Sequence, residues 1–181
     1  MFSLRKKWLG LIKVFILSAG LSSALSSCGF HLRGAYQLPA EMSPVYLAAK
    51  NQHSELLQDL QHSLEANQLV VVSDATRAHT SIKIEKEKIT SRVLSVDSKG
   101  RAREYELKLE LDFSVSTEKD GVEAYDIENK RLELVRDYIQ DNEAVLGTTR
   151  ERATLIRDMN RDAARLIMLQ IQAAYRQHTK N

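Results

Sequence analysis

The residue best placed to do chemistry is Cys28, the only cysteine of the chain, at the end of Leu25-Ser26-Ser27-Cys28. Ahead of it stand Arg5, Lys6, Lys7 and Lys13, an apolar run from Val14 to Leu21, and then small residues, which is the grammar of an export signal. The run is short of the roughly 20 apolar residues that a bilayer-spanning helix needs. Leu-Ser-Ser-Cys has the form of a bacterial lipobox, in which the signal is cut before the cysteine, the thiol is thioether-linked to diacylglycerol and the new amine is acylated, with palmitate as the typical chain. An ordinary signal that happens to precede a cysteine, or an uncleaved anchor, are the other readings. A lone cysteine in an exported protein has no intramolecular partner and leaves a reactive thiol in an oxidising compartment. Lipidation removes that difficulty, and at about 0.8 kcal/mol per buried methylene several chains on one residue make a durable anchor. Gly29 takes position two after cleavage, where an aspartate would resemble an inner-membrane retention signal, so the expected destination is the outer membrane.

No catalytic constellation is found. The five histidines (His31, His53, His62, His79, His178) lack zinc-ligand spacing. There is no Gly-x-Ser-x-Gly and no glycine-rich loop between a strand and a helix. Carboxylates alternate with apolar residues or with lysine, as in Glu85-Lys86-Glu87-Lys88, the pattern of a solvated surface. The expectation is a protein that is not an enzyme, with no metal site, no catalytic residue and no cofactor beyond the acyl chains on Cys28.

Charge excludes a further class. The chain holds 26 Lys and Arg against 24 Asp and Glu, but four of the basic residues lie in residues 1–27. Cleavage leaves 22 against 24, about −2, so the basic balance belongs to the signal. Nucleic-acid binding needs excess cations on the folded domain, and none is expected as a partner. Residues 28–44, with both prolines, read as a lipidated tether with a short ordered part. Residues 45–181 read as one domain, large enough for a real core.

The elements that would position any site follow from periodicity. Val45-Tyr46-Leu47-Ala48-Ala49 reads as a short strand. Leu56, Leu57, Leu60 and Leu64 recur at helical spacing between Asn51 and Asn67, and Leu69 to Val72 reads as a buried strand, giving a β-α-β unit. Tyr105, Leu107, Leu109, Leu111, Phe113 and Val115 alternate with polar residues, which marks a long strand with one buried face. Between Thr80 and Asp97 the apolar phase changes from Ile82 and Ile84 to Ile89 and Val93, the signature of a bulge. Asp97-Ser98-Lys99-Gly100 and Asp120-Gly121 supply turns for a three-stranded antiparallel meander reaching Tyr138. Finally Ile156, Met159, Ala163, Leu166, Ile167, Ile171 and Ala174 stripe a helix from Thr149 to about Gln177, roughly 40 Å long, with Thr148 and Glu151 spaced as a capping box. The fold class is α+β: a mixed sheet, a β-α-β unit followed by an antiparallel meander, with two amphipathic helices on one face. The other face is polar, covered by a partner, or both.

Cys28-Gly29-Phe30-His31-Leu32-Arg33-Gly34, followed by Gln37-Leu38-Pro39, resembles the lipopolysaccharide-assembly lipoprotein family LptE. The likeness continues through the β-α-β unit, the hairpin with Arg103-Glu104-Tyr105 entering its second strand, and a terminal helix with Arg157-Asp158-Met159 and Asp162-Ala163-Ala164. It implies a plug in the lumen of the outer-membrane β-barrel LptD, one to one, that helps deliver lipopolysaccharide to the outer leaflet and assists barrel assembly. The protein would sit at the periplasmic face or in the barrel lumen. Lipopolysaccharide carries phosphates and sugar acids, which Arg and Lys forks hold well. Lys99, Arg101 and Arg103 at the hairpin tip, with Arg92 on the facing strand, are the first candidates, and a solvated turn is the alternative. Arg150 and Arg152 are weaker ones, since Glu151 and Asp158 can pair with them at the surface. His31 and Arg33 lie beside the anchor and would position the tether or touch the barrel. The rival reading is a structural scaffold lipoprotein of an envelope complex with no ligand of its own.

Overall fold

The computed structural model describes residues 38–119, 122–140 and 145–178. Among the described residues five strands form one mixed sheet in the order β2-β1-β3-β4-β5. They are β1 (Val45–Ala49), β2 (Val71–Val72), β3 (Thr80–Val96), β4 (Ala102–Lys119) and β5 (Val122–Ile139). Helix α1 (Glu55–Ala66) links β1 to β2, and helix α2 (Val145–His178) closes the chain. β1 runs parallel to both β2 and β3, while β3, β4 and β5 are antiparallel. The mixed α+β architecture expected from the sequence is the one observed.

Helix α1 starts where Ser54 accepts a hydrogen bond from the Leu57 N–H at 3.2 Å, satisfying one of the donors a helix start leaves open. It ends at Asn67, after which Gln68 takes φ +66°, a left-handed conformation more usual for glycine. Leu56, Leu57, Leu60 and Leu64 are buried, as their spacing requires. On α2 the buried stripe is Met159, Ala163, Ala164, Ile167, Met168 and Ile171. Both stripes join Leu107, Leu109, Leu111, Phe113 and Val115 of β4 in one core. Met42, in a short 3-10 turn ahead of β1, is buried in the same core.

Two local expectations are corrected. The strand expected over Leu69 to Val72 is only two residues long; Leu69 is buried, but Val70 is 58% exposed and Val71 and Val72 are half-buried. β2 is an edge strand with β1 on one side alone, so its apolar side chains lack neighbours to cover them. The last helix begins at Val145 instead of Thr149, so position 148 lies inside it and the Thr148–Glu151 pair does not open it. Its 34 residues make it about 50 Å long at about 1.5 Å per residue. The inferred bulge is present as a register shift between Ile84 and Lys86. The Asp120-Gly121 turn lies outside the described residues.

Candidate functional site

The β3–β4 hairpin is tied by Asp97. Its Oδ1 accepts from the Lys99 and Arg101 N–H groups at 2.8 and 2.9 Å, and its Oδ2 accepts from Arg101 Nε at 2.8 Å. Gly100 supplies φ +73° where the turn needs it, and its N–H reaches the Asp97 carbonyl at 2.9 Å. The backbone bond from Arg101, then its side chain, holds the Asp97 carboxyl below its ordinary range. Arg101 is therefore part of the turn as well as a surface cation. Arg92 faces Glu106 in register and forks onto it, Nε to Oε1 at 2.6 Å and Nη2 to Oε2 at 2.9 Å. Lys99 and Arg103 are exposed and form no ion pair among the described residues.

The four candidates do not form one patch. Arg92 pairs with Glu106 on the sheet face that points away from the helices, whereas Arg103 shares its face with Tyr105 and Leu107, on the helix side. Tyr105 stacks on Tyr138, centroids 5.4 Å apart, at that end of the sheet. The start of α2 reaches the same end, because a cleft of about 570 Å³ is lined by Glu151 together with Leu94, Glu104, Asp137, Tyr138 and Ile139. Arg150 and Arg152, flanking Glu151, are exposed. The start of α2, which carries these two arginines, thus lies at the same sheet end. Cys28, His31 and Arg33 lie outside the described residues.

Two features escaped the sequence reading. The first is an ion ladder on the outer face: Glu110 takes Lys86 at 2.8 Å and Lys108 at 3.1 Å, Lys108 also reaches Glu133 at 2.9 Å, and Arg131 forks onto Asp112 at 2.7 and 3.2 Å. Lys86 first and Lys108 second pull the Glu110 carboxyl down to about 2. The second is an exposed aliphatic set, Val93, Leu94, Val96 and Ile139, at the distal end. Alternation of charge on β4 hinted at the ladder, but its pairs depend on register. Among the described residues no group of His, Cys, Asp and Glu could hold a metal ion, and no helix is long and apolar enough to cross a membrane.

Known proteins share this fold and much of this sequence pattern. The LPS-assembly lipoprotein LptE of Pectobacterium atrosepticum is 25% identical over 158 residues, covering 86% of this chain and 83% of its own. The protein of the same name from Yersinia pestis is 23% identical over 171 residues, 93% of this chain and 80% of its own. Among solved structures, the rare lipoprotein B of Shewanella oneidensis superposes with a TM-score of 0.62 at 24% identity, over 76% of this chain and 98% of that one. A lipoprotein B of Nitrosomonas europaea gives 0.58 at 27% identity, over 80% and 91%. The LptE family, described as lipopolysaccharide-assembly, matches residues 42–171, which span β1 through most of α2. With that match over well beyond half its length, the chain belongs to the LptE family.

Proposed function

We propose that this protein serves lipopolysaccharide assembly as an outer-membrane lipoprotein, held by diacylglycerol and an N-acyl chain on Cys28 and bound one to one to the LptD β-barrel, whose assembly it assists. Its membership of the lipopolysaccharide-assembly family is the observation that carries this reading. It contacts lipopolysaccharide directly at the distal sheet end, where Lys99 and Arg103 stand without counter-charges among the described residues and Glu151 brings the start of α2, with its flanking Arg150 and Arg152, to the same cleft. Free cations suit this role, since a charge-assisted bond to phosphate contributes about 1.5–3 kcal/mol before screening. Arg101 and Arg92 join only by sharing themselves with Asp97 and Glu106. That engagement favours a second reading, a scaffold in the same complex without its own ligand.

Binding of purified lipoprotein to lipopolysaccharide separates the two. Replacing Lys99, Arg101 and Arg103 together with Ser should weaken binding about tenfold or more, with the gap narrowing at high salt. Melting should drop little, since no core residue changes. Undiminished binding in a folded triple variant would remove the ligand reading and leave the scaffold. Co-purification with the barrel after gentle detergent extraction tests the complex, and mass spectrometry of the mature N-terminus tests the anchor.

A further inference from the structure

Strand β3 has a neighbour on both sides only as far as Ile84. β1 ends at Ala49, paired with Ile84, so from Glu85 to Val96 the strand has β4 on one side and, among the described residues, no strand on the other. The ladder reveals which backbone groups this leaves open. The Gln140 N–H bonds the Arg103 carbonyl at 2.7 Å, and with Glu104 opposite Ile139 this marks 104 and 139 as a pair that exchanges no bonds. Even-numbered β4 residues from Glu104 to Asp112 therefore aim their N–H and C=O groups at β3, where Glu106, Lys108, Glu110 and Asp112 face Arg92, Thr90, Lys88 and Lys86. Glu87, Ile89, Ser91 and Val93 must then turn theirs outward, to the open side. Bonds from these outward groups to any residue beyond the ladder are absent among the described residues.

Soluble proteins protect such edges with bulges and charges, and the protection here is incomplete. Register shifts at Ile84/Lys86 and Val93/Ser95 bracket the stretch from Lys86 to Val93 without interrupting it. Lys86 and Arg92 are drawn across the outer face by Glu110 and Glu106, so they do not guard the edge. Val93, Leu94 and Val96 are 48%, 42% and 58% exposed along it. Where β1 stops, a cleft of about 480 Å³ opens between Ala49–Asn51 and β3.

We infer that the β3 edge from Lys86 to Val93 receives an extended strand of a partner protein, one that alternates apolar and acidic residues. Only an extended backbone matches outward N–H and C=O groups on every second residue. The side chains set the pattern. Ile89 and Val93 face the helix side and ask for apolar neighbours, while on the outer face Lys88 asks for a carboxylate, beside Lys86 and Arg92, which already pair with Glu110 and Glu106. Lys88 is exposed and has no ion pair among the described residues, so it supplies uncommitted charge. Arg92 alone is shared with the lipopolysaccharide reading, and the inference does not rest on that reading.

The test titrates full-length lipoprotein in detergent with a blocked peptide alternating Val and Glu, about eight residues long to match the stretch, and with its Val-Lys counterpart. The Val-Glu peptide should bind saturably and slow hydrogen exchange at the Glu87, Ile89, Ser91 and Val93 amides, and the Val-Lys peptide should bind about tenfold more weakly. Ser91→Pro removes an outward N–H and no β3–β4 bond, so it should abolish that protection with the melting temperature kept. Lys88→Glu should reverse the preference between the peptides, and it decides alone if Ser91→Pro does not fold. Protection on β5 in place of β3, or unchanged binding by folded Ser91→Pro, overturns the inference. So does concentration-dependent self-association that excludes the peptide, which would give the edge to a second copy of this chain.

Discussion

Strand β4 shows two faces with opposite physics on alternate residues. Leu107, Leu109, Leu111, Phe113 and Val115 are fully buried beneath the helices, while Glu106, Lys108, Glu110 and Asp112 make ion pairs on the other side. One face contributes stability through area removed from water. The other keeps a sheet surface hydrated and ordered, through exposed pairs whose individual contribution is small. Adjacent residues test the contrast most directly. Leu109→Ala should destabilise by about 2–5 kcal/mol, because it removes buried methyl groups and leaves a cavity. Glu110→Gln should cost far less at neutral pH. Denaturant unfolding of both variants is the measurement, and equal losses would break the contrast.

Acid separates the faces next. Lys86 and Lys108 hold Glu110 at about 2 in the folded protein, Arg92 lowers Glu106, and Arg131 lowers Asp112. A carboxyl with a depressed folded pKa adds stability above its unfolded pKa and loses it as pH falls toward the folded one. The ladder's contribution should therefore fade as pH drops from about 4.5 to about 2. Urea midpoints measured down that range should fall more steeply for wild type than for Glu110→Gln. Salt at about 1 M, where the screening length is about 3 Å, should narrow the difference. Parallel pH profiles would show that the ladder is not linked to folding.

The sheet's two faces also explain how much of the molecule was legible in the sequence. Period-two alternation from Tyr105 to Val115 carries its own face assignment, and the phase change between Ile84 and Ile89 located the bulge before any pairing was known. Burial of β2 was not legible, because whether Val70 is covered depends on what lies beyond the sheet edge, and Val70 is 58% exposed there. The start of α2 was misplaced because Thr148 and Glu151 have capping-box spacing, yet the helix continues back to Val145. At the candidate site the cations were visible but their commitments were not. Arg92 meets Glu106 only through the bulge at Ile84/Lys86, and without that one-residue shift it would face Tyr105. Lys99 and Arg103 emerge as the uncommitted pair only after that register is known.

The smallest expected effect tests whether the helix side excludes charge as strictly as its leucines suggest. Glu87 stands opposite Leu111 on that side, half-buried beside the start of α1. Loss of water raises its pKa above the ordinary 4.5; a hydrogen bond from Ser54 opposes the rise, and the nearby Glu55 carboxylate adds to it. The sign is opposite to that of Glu110. A raised folded pKa gives stability that is complete below the unfolded value and is lost as pH climbs through the folded one. At neutral pH Glu87 therefore weighs against folding, so Glu87→Gln should be slightly more stable than wild type there, and the gain should vanish near pH 4, below its ordinary value of 4.5. Denaturant midpoints at the two pH values decide it, with Glu110→Gln alongside as the same chemical change on the other face. If Glu87→Gln is the less stable protein at neutral pH, the Ser54 bond outweighs desolvation, and the helix side accommodates a charge wherever a helix start can meet it.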